Sequence, residues 1–149
     1  MKRDAQIDLL GNVWLFERCS RKELGLLVSN TTQLQVQAGR VLAREGDPGR
    51  EFFVIISGKA VATRNGVEVG VLGPGSFFGE MSLLDKQPRV ATVTASEPTE
   101  VLVLTAQAFT SVIDTMPSVD RKMLTVLATR LRDVETRYLP VEERVLTRH

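Results

Sequence analysis

The sequence predicts a mainly β domain with flanking helices, its strands folded into a small antiparallel sandwich or barrel. The first observation is a change of apolar period: it is helical up to about residue 29, becomes two from Thr31, and returns to the helical value after Thr105. The second is the punctuation of the middle stretch. Turn signals fall at Gly39, GDPG (46–49), Gly58, NG (65–66), GPG (73–75) and EP (97–98), a spacing that suits short antiparallel strands. The third is length: 149 residues fit one domain, 1–149, able to bury roughly two thirds of the surface its unfolded form exposes.

The elements follow in order. Residues 5–29 read as two short helices joined near Arg18 and Cys19, because Ile7, Leu10 and Trp14 recur at helical spacing and Ser20 with Glu23 forms a capping-box pattern ahead of Leu24, Leu27 and Val28. The β core spans 31–105. Within it, Asn65-Gly66 predicts a type I′ hairpin that pairs ATR with VEV, since both turn positions need positive φ. C-terminal helices occupy 106–138: AQAFTSVIDT makes one, and the other runs from about 118 to 138, with Pro117 at its first turn and Pro140 beyond its end. Leu124, Leu127, Leu131, Val134 and Tyr138 form one apolar seam along it, expected to dock on the β core or, as the alternative, to pair two copies into a homodimer. Residues 139–149 read as a tail.

Composition excludes several function classes. A charged fraction of 25% with net charge +1 is neither a disordered profile nor a polyanion-binding one. Cys19 is the single cysteine, so nothing signals an oxidising compartment and a cytoplasmic location is expected. Asp4, Asp8 and Asn12 break the N-terminal apolar run, which reads as helix rather than leader, and no later run approaches the ~20 residues of a membrane span. There is no HExxH, GxSxG or Walker A pattern, and His149 is the only histidine. No catalytic residues and no metal site are therefore expected, and the protein is not expected to be an enzyme. A helix-turn-helix has no room after Tyr138 in this sequence, so no direct nucleic-acid contact is expected either.

The chemistry concentrates in FFGEMSLLDKQPRVATV, residues 77–93. Gly79 permits a tight turn into one helical turn from Glu80 to Leu84, whose free amides and positive dipole end suit an anion. Arg89 follows at the head of the next strand, with Pro88 holding the approach extended. Its planar guanidinium can clamp two oxygens of a phosphate. Glu80 would repel that phosphate but accepts well from a sugar hydroxyl, and a ligand carrying both groups is a nucleotide.

Phe78, Gly79, Glu80, Met81, Ser82, Leu83 and Leu84, then Pro88, Arg89, Val90 and Ala91, resemble the phosphate-binding cassette of the cyclic nucleotide-binding domain family, shared by kinase A regulatory subunits, nucleotide-gated channels and the catabolite activator protein. EGDPG (45–49), FFVIISGKA (52–60) and the helices around a β core extend the likeness over nearly the whole chain. The resemblance implies an antiparallel β jelly-roll barrel with a helical N-terminus, a short cassette helix and a long C-terminal lid helix. It implies that Gly79, Glu80, Met81 and Ser82 contact phosphate and ribose, with Glu80 on the 2′-hydroxyl, that Arg89 binds the cyclic phosphate, and that Phe78, Val90 and Ala91 complete the site. Ser82 stands where the family often has alanine, and Val90 where it has alanine, serine or threonine. Because relatives preferring cGMP often place threonine there, Val90 favours cAMP over cGMP as ligand. ATRLRDV (128–134) is similar to the lid of pacemaker-channel domains, which places Arg130 and Val134 over the base. The function implied is a non-catalytic regulatory sensor that signals by movement of its last helix, hinged near Pro117, to an effector protein or effector domain not identified by the sequence. The alternative is a domain that keeps the motif with little nucleotide affinity and serves protein interaction or dimerisation.

Overall fold

A computed structural model of the chain describes residues 2–138, with side chains as far as Arg132. Helix α1 (Arg3–Gly11) gives way after Asn12 to a 3-10 turn at Trp14–Phe16, and α2 spans Arg21–Ser29. The break is therefore wider than a junction at Arg18 and Cys19, because Leu15 and Phe16 leave the helical path to bury in the core, each 1% exposed. The capping box forms as expected: Ser20 Oγ accepts from the Glu23 amide at 3.1 Å and the Glu23 carboxylate accepts from the Ser20 amide at 2.8 Å. Ser20→Ala is expected to destabilise the protein by about 1 kcal/mol, read as a lower urea midpoint at unchanged slope.

Eight strands follow: β1 (Thr31–Val36), β2 (Val41–Ala43), β3 (Glu51–Ser57), β4 (Ala60–Arg64), β5 (Val67–Leu72), β6 (Phe77–Phe78), β7 (Thr92–Ala95) and β8 (Thr99–Thr105). They form two antiparallel sheets, β1-β8-β3-β6 and β2-β7-β4-β5. The pairings β1 with β8, β2 with β7, β3 with β6 and β4 with β5 are those of one long hairpin rolled on itself, which is the jelly-roll topology. Its tip is the Asn65-Gly66 turn, with φ of 52° and 78°, as a type I′ turn requires. The expected closure into a barrel does not occur. With β6 two residues long and β2 three, no ladder among the described residues carries one sheet into the other, and the result is an open sandwich.

Strand β3 reads FFVII without alternation because both its faces are covered. Phe52 and Val54 face the helices, in a cluster with Leu10, Phe16, Leu27, Leu104 and Phe109. Phe53 and Ile55 face the other sheet, with Phe78, Val93 and Val101.

Helix α4 (Ala106–Thr115) is capped by Thr105 Oγ1, which accepts from the Ala108 amide at 3.2 Å, and α5 (Pro117–Tyr138) starts on its proline. The expected seam is corrected here. Val119 and Met123 are buried and Leu127 is partly buried against the core, whereas Leu124 and Leu131 are 63% and 60% exposed. Two apolar stripes overlap on this helix, and the 3-10 turn and α4 select the one through Val119. The side chains of Val134 and Tyr138, and all of residues 139–149, lie outside the described residues. Among the described residues no helix is long and apolar enough to cross a membrane, and no group of three His, Cys, Asp or Glu is placed to hold a metal ion.

Candidate functional site

Strand β6 delivers the chain to the site. Phe78 pairs with Phe53 and stacks on its ring at 4.7 Å between centroids, which fixes the residue before Gly79. Gly79 then takes φ of 100° and opens α3 (Glu80–Asp85) with no side-chain cap on its amides. Only glycine fits: a Cβ here would lie 2.5 Å from the Glu51 carbonyl oxygen and 2.6 Å from Arg89 Nη1, in addition to the strain of positive φ. The helix stops at Lys86, whose φ is 61°.

Arg89 lies in the connection between α3 and β7, three residues ahead of the strand rather than at its head. Its side chain is buried. Nη2 donates to the Glu51 carbonyl at 2.9 Å, and the guanidinium carbon sits 5.9 Å from the centre of the Phe53 ring. Nη1 is buried with no hydrogen-bond partner among the described residues. Burial pushes the Arg89 guanidinium below its ordinary pKa, and the Glu51 and Glu80 carboxylates pull it back up. Folding the charged form therefore carries a desolvation penalty, which an anion at Nη1 would offset.

Glu80 is 1% exposed, and its carboxylate is paired with Arg130 Nη1 of α5. The side chain of Arg130 remains half-exposed. A helix remote in sequence thus reaches the carboxylate at the start of α3.

A cavity of about 360 Å³ lies between these groups. Phe78, Gly79, Glu80, Met81, Ser82, Arg89, Val90, Ala91 and Arg130 all line it, so the structure brings together every site residue expected from the sequence whose side chain is described. Val134 is the exception, its side chain lying outside the described residues. Sequence reasoning missed the apolar wall made by Ala43, Ala62, Val69, Leu72, Phe77 and Val93. Of these, Val69 sits where the β4–β5 register slips between Ala62 and Thr63, and this bulge turns a strand residue toward the cavity. The glycine beside it, Gly70, was the available signal. The lining therefore combines a cation at Arg89, a carboxylate at Glu80 paired with Arg130, and an apolar wall.

Comparison with known proteins gives four findings. Residues 33–116 match the family described as Cyclic nucleotide-binding domain. The chain is 35% identical to the cyclic AMP receptor protein of Thermus thermophilus, over 87% of this chain and 63% of that protein. It is 39% identical to a cyclic nucleotide-gated potassium channel of Mesorhizobium japonicum, over 74% of this chain and 31% of the channel. Among solved structures, the regulatory domain of Toxoplasma gondii PKA with cAMP superposes with a TM-score of 0.77 at 25% identity, over 86% of this chain and 50% of that one. The chain thus spans less than two thirds of the length of each of these relatives.

Proposed function

Since the chain belongs to the cyclic nucleotide-binding domain family, we propose that it binds cAMP reversibly, and cGMP more weakly, in the cavity between α3, Arg89 and Arg130, and that it does so as a non-catalytic regulatory domain. The observation that carries this reading is the orphaned Arg89 Nη1, a buried cation donor on a residue that lines the cavity together with Gly79 and Glu80. A cyclic phosphate at the Arg89 end satisfies that donor. It also places the ribose 2′-hydroxyl within reach of the Glu80 carboxylate and the base against Val69, Val90 and Leu72. Val90 offers no hydroxyl to a guanine, which favours the adenine ligand.

The output is the position of α5. Glu80 serves two partners, the ribose hydroxyl and Arg130, so the ligand and the helix meet on one carboxylate. The junction at Pro117, the hinge expected from the sequence, is packed against the core in this structure. Met116, Val119 and Met123 are buried around it, and Lys122 donates to the Trp14 carbonyl and pairs with Glu17 at 3.1 Å. The moving part accordingly begins beyond Met123, where Leu124 and Leu131 are exposed and Arg130 is the tether. Its movement covers or uncovers a surface for an effector protein, an effector domain or a second copy of the chain.

Calorimetric titration with cAMP and cGMP, paired with hydrogen exchange, tests the proposal. The expected result is heat with both nucleotides, tighter binding of cAMP, and new protection at 79–91 and in α5 beyond Met123. No heat and no thermal shift at millimolar cAMP would leave a domain of the same fold acting in protein interaction. Protection confined to 79–91 would leave a binder whose last helix does not report.

A further inference from the structure

Much of the apolar wall of the cavity stands on the least supported part of its sheet. Ala62, Val69 and Leu72 come from the β4–β5 hairpin, and β5 is an edge strand, paired among the described residues with β4 alone. The ladder from β4 to β7 ends at Thr63 and Thr92, so residues 64–67 overhang it, and the bulge at Val69 interrupts the hairpin's own ladder behind them. In a two-residue turn the amide of the first turn residue has no partner in the ladder. Here a distant side chain supplies one: the Asn65 amide donates to Glu45 Oε1 at 2.9 Å. Among the described residues no other hydrogen bond joins 64–67 to chain outside the hairpin. Glu45 is held in turn, its own amide donating to Thr92 Oγ1 at 3.0 Å. Thr92 opens β7 directly after Arg89, Val90 and Ala91, whereas Glu45 is not among the described residues that line the cavity. One half-buried carboxylate thus connects the hairpin tip to the strand that leaves the cassette.

We propose that Glu45 is a positioning residue for the base: its carboxylate latches the tip of the β4–β5 hairpin to the start of β7 and so sets how closely Val69 and Leu72 approach Val90 across the cavity. A carboxylate bonded to a backbone amide is charge-assisted, hence stronger than a neutral pair. Without it the hairpin swings about the bulge, and the wall opens with no change at Gly79, Glu80 or Arg89. This rests on the reading of the cavity as a cyclic nucleotide site. It assigns the fit of the base, as distinct from the grip on the phosphate, to a side chain that lines no part of the cavity.

Two variants and two ligands test it. Glu45→Ala removes the acceptor, and Glu45→Gln keeps an oxygen at the same reach. The expected result for Glu45→Ala is a loss of cAMP affinity of about fivefold, with ribose 3′,5′-cyclic phosphate, which lacks the base, bound as by the parent protein. Glu45→Gln is expected to stay within about twofold of the parent for both ligands. In the protein alone, the Asn65 amide proton is expected to move upfield and exchange faster in Glu45→Ala, and to stay near its parent position in Glu45→Gln. Equal losses for the two ligands, or unchanged cAMP affinity in a folded Glu45→Ala, would overturn the proposal and leave the contact a turn cap. If Glu45→Ala does not fold, Asn65→Asp decides by the same readouts: aspartate tolerates the φ of 52° and brings a second negative charge close to Glu45, which loosens the latch from the hairpin side. The amide signal separates this proposal from its premise: a parent protein that binds neither ligand removes the function, whereas an unmoved Asn65 signal in Glu45→Ala removes the latch.

Discussion

Arg89→Ala is expected to weaken cAMP binding by about 2 to 5 kcal/mol, or roughly 30-fold to 4,000-fold, while leaving the protein folded. The size follows from what remains after truncation: a phosphate charge drawn out of water into a cavity that has lost its buried cation. The fold survives for a reason visible in the same side chain. Arg89 contributes one hydrogen bond to the Glu51 carbonyl and a contact with the Phe53 ring, but its Nη1 is unpaired and burial already disfavours its charge. Removing it gives up the first two and relieves the third. Thermal denaturation is therefore expected within a few degrees of the parent protein while the calorimetric affinity collapses. A variant that binds cAMP as tightly as the parent would remove Arg89 from the site.

Phe52→Ala is expected to do the reverse, at a cost of about 3 to 5 kcal/mol of folding stability. Phe52 is 1% exposed and lies where strand, site and helices meet, its ring centroid 5.0 Å from that of Phe109 and 5.7 Å from that of Phe77. Alanine leaves a cavity that β3 cannot close, because Phe53 and its neighbours are pinned to β8 on one side and β6 on the other. Against a typical total of about 5 to 15 kcal/mol, the loss brings the domain near unfolding. The check is a urea transition moved to lower concentration with the same slope. A shift of less than about 1 kcal/mol would mean that the space refills and the junction is softer than it is packed.

Most of the local structure was legible in the sequence because local chemistry decides it. Ser20 with Glu23 announces the start of α2, Asn65-Gly66 announces the tip of the long hairpin, and the period changes at Thr31 and Thr105 coincide with the first residue of β1 and the last of β8. The cassette was legible for the same reason, since a glycine turn, a carboxylate and an arginine are residue types with little structural excuse for standing together. What stayed hidden is decided by partners distant in sequence. Sheet order and the absence of closure depend on how short β2 and β6 are, a matter of one or two hydrogen bonds. The face of α5 that docks depends on the 3-10 turn beneath it, so Leu124 and Val119 cannot be ranked by spacing alone. The apolar cavity wall looks like any strand interior. Val69 becomes part of the site only through a bulge, and Glu80 meets Arg130 only because α5 returns across the sandwich.

The rolled-hairpin pairing also governs how the chain reaches its native state. Thr31 is hydrogen-bonded opposite Leu104, so the first strand made finds its neighbour only when the last has been made. At a synthesis rate of ~5 to 20 residues per second, β1 waits about 4 to 15 seconds on the ribosome for β8 to appear. During that interval the β4–β5 hairpin, closed by its two-residue turn, can form in microseconds, so assembly is ordered from the tip inward and ends at the strands nearest the helices. With so many contacts between distant positions, refolding is expected on the millisecond-to-second scale of β sandwiches rather than at helical-bundle speed. The helices that follow β8 inherit this order: α4 docks onto β3 and β8, a surface that becomes complete only in the closing step, and α5 packs in turn on α4 and the 3-10 turn, so the proposed reporter element is also the last to gain a foundation.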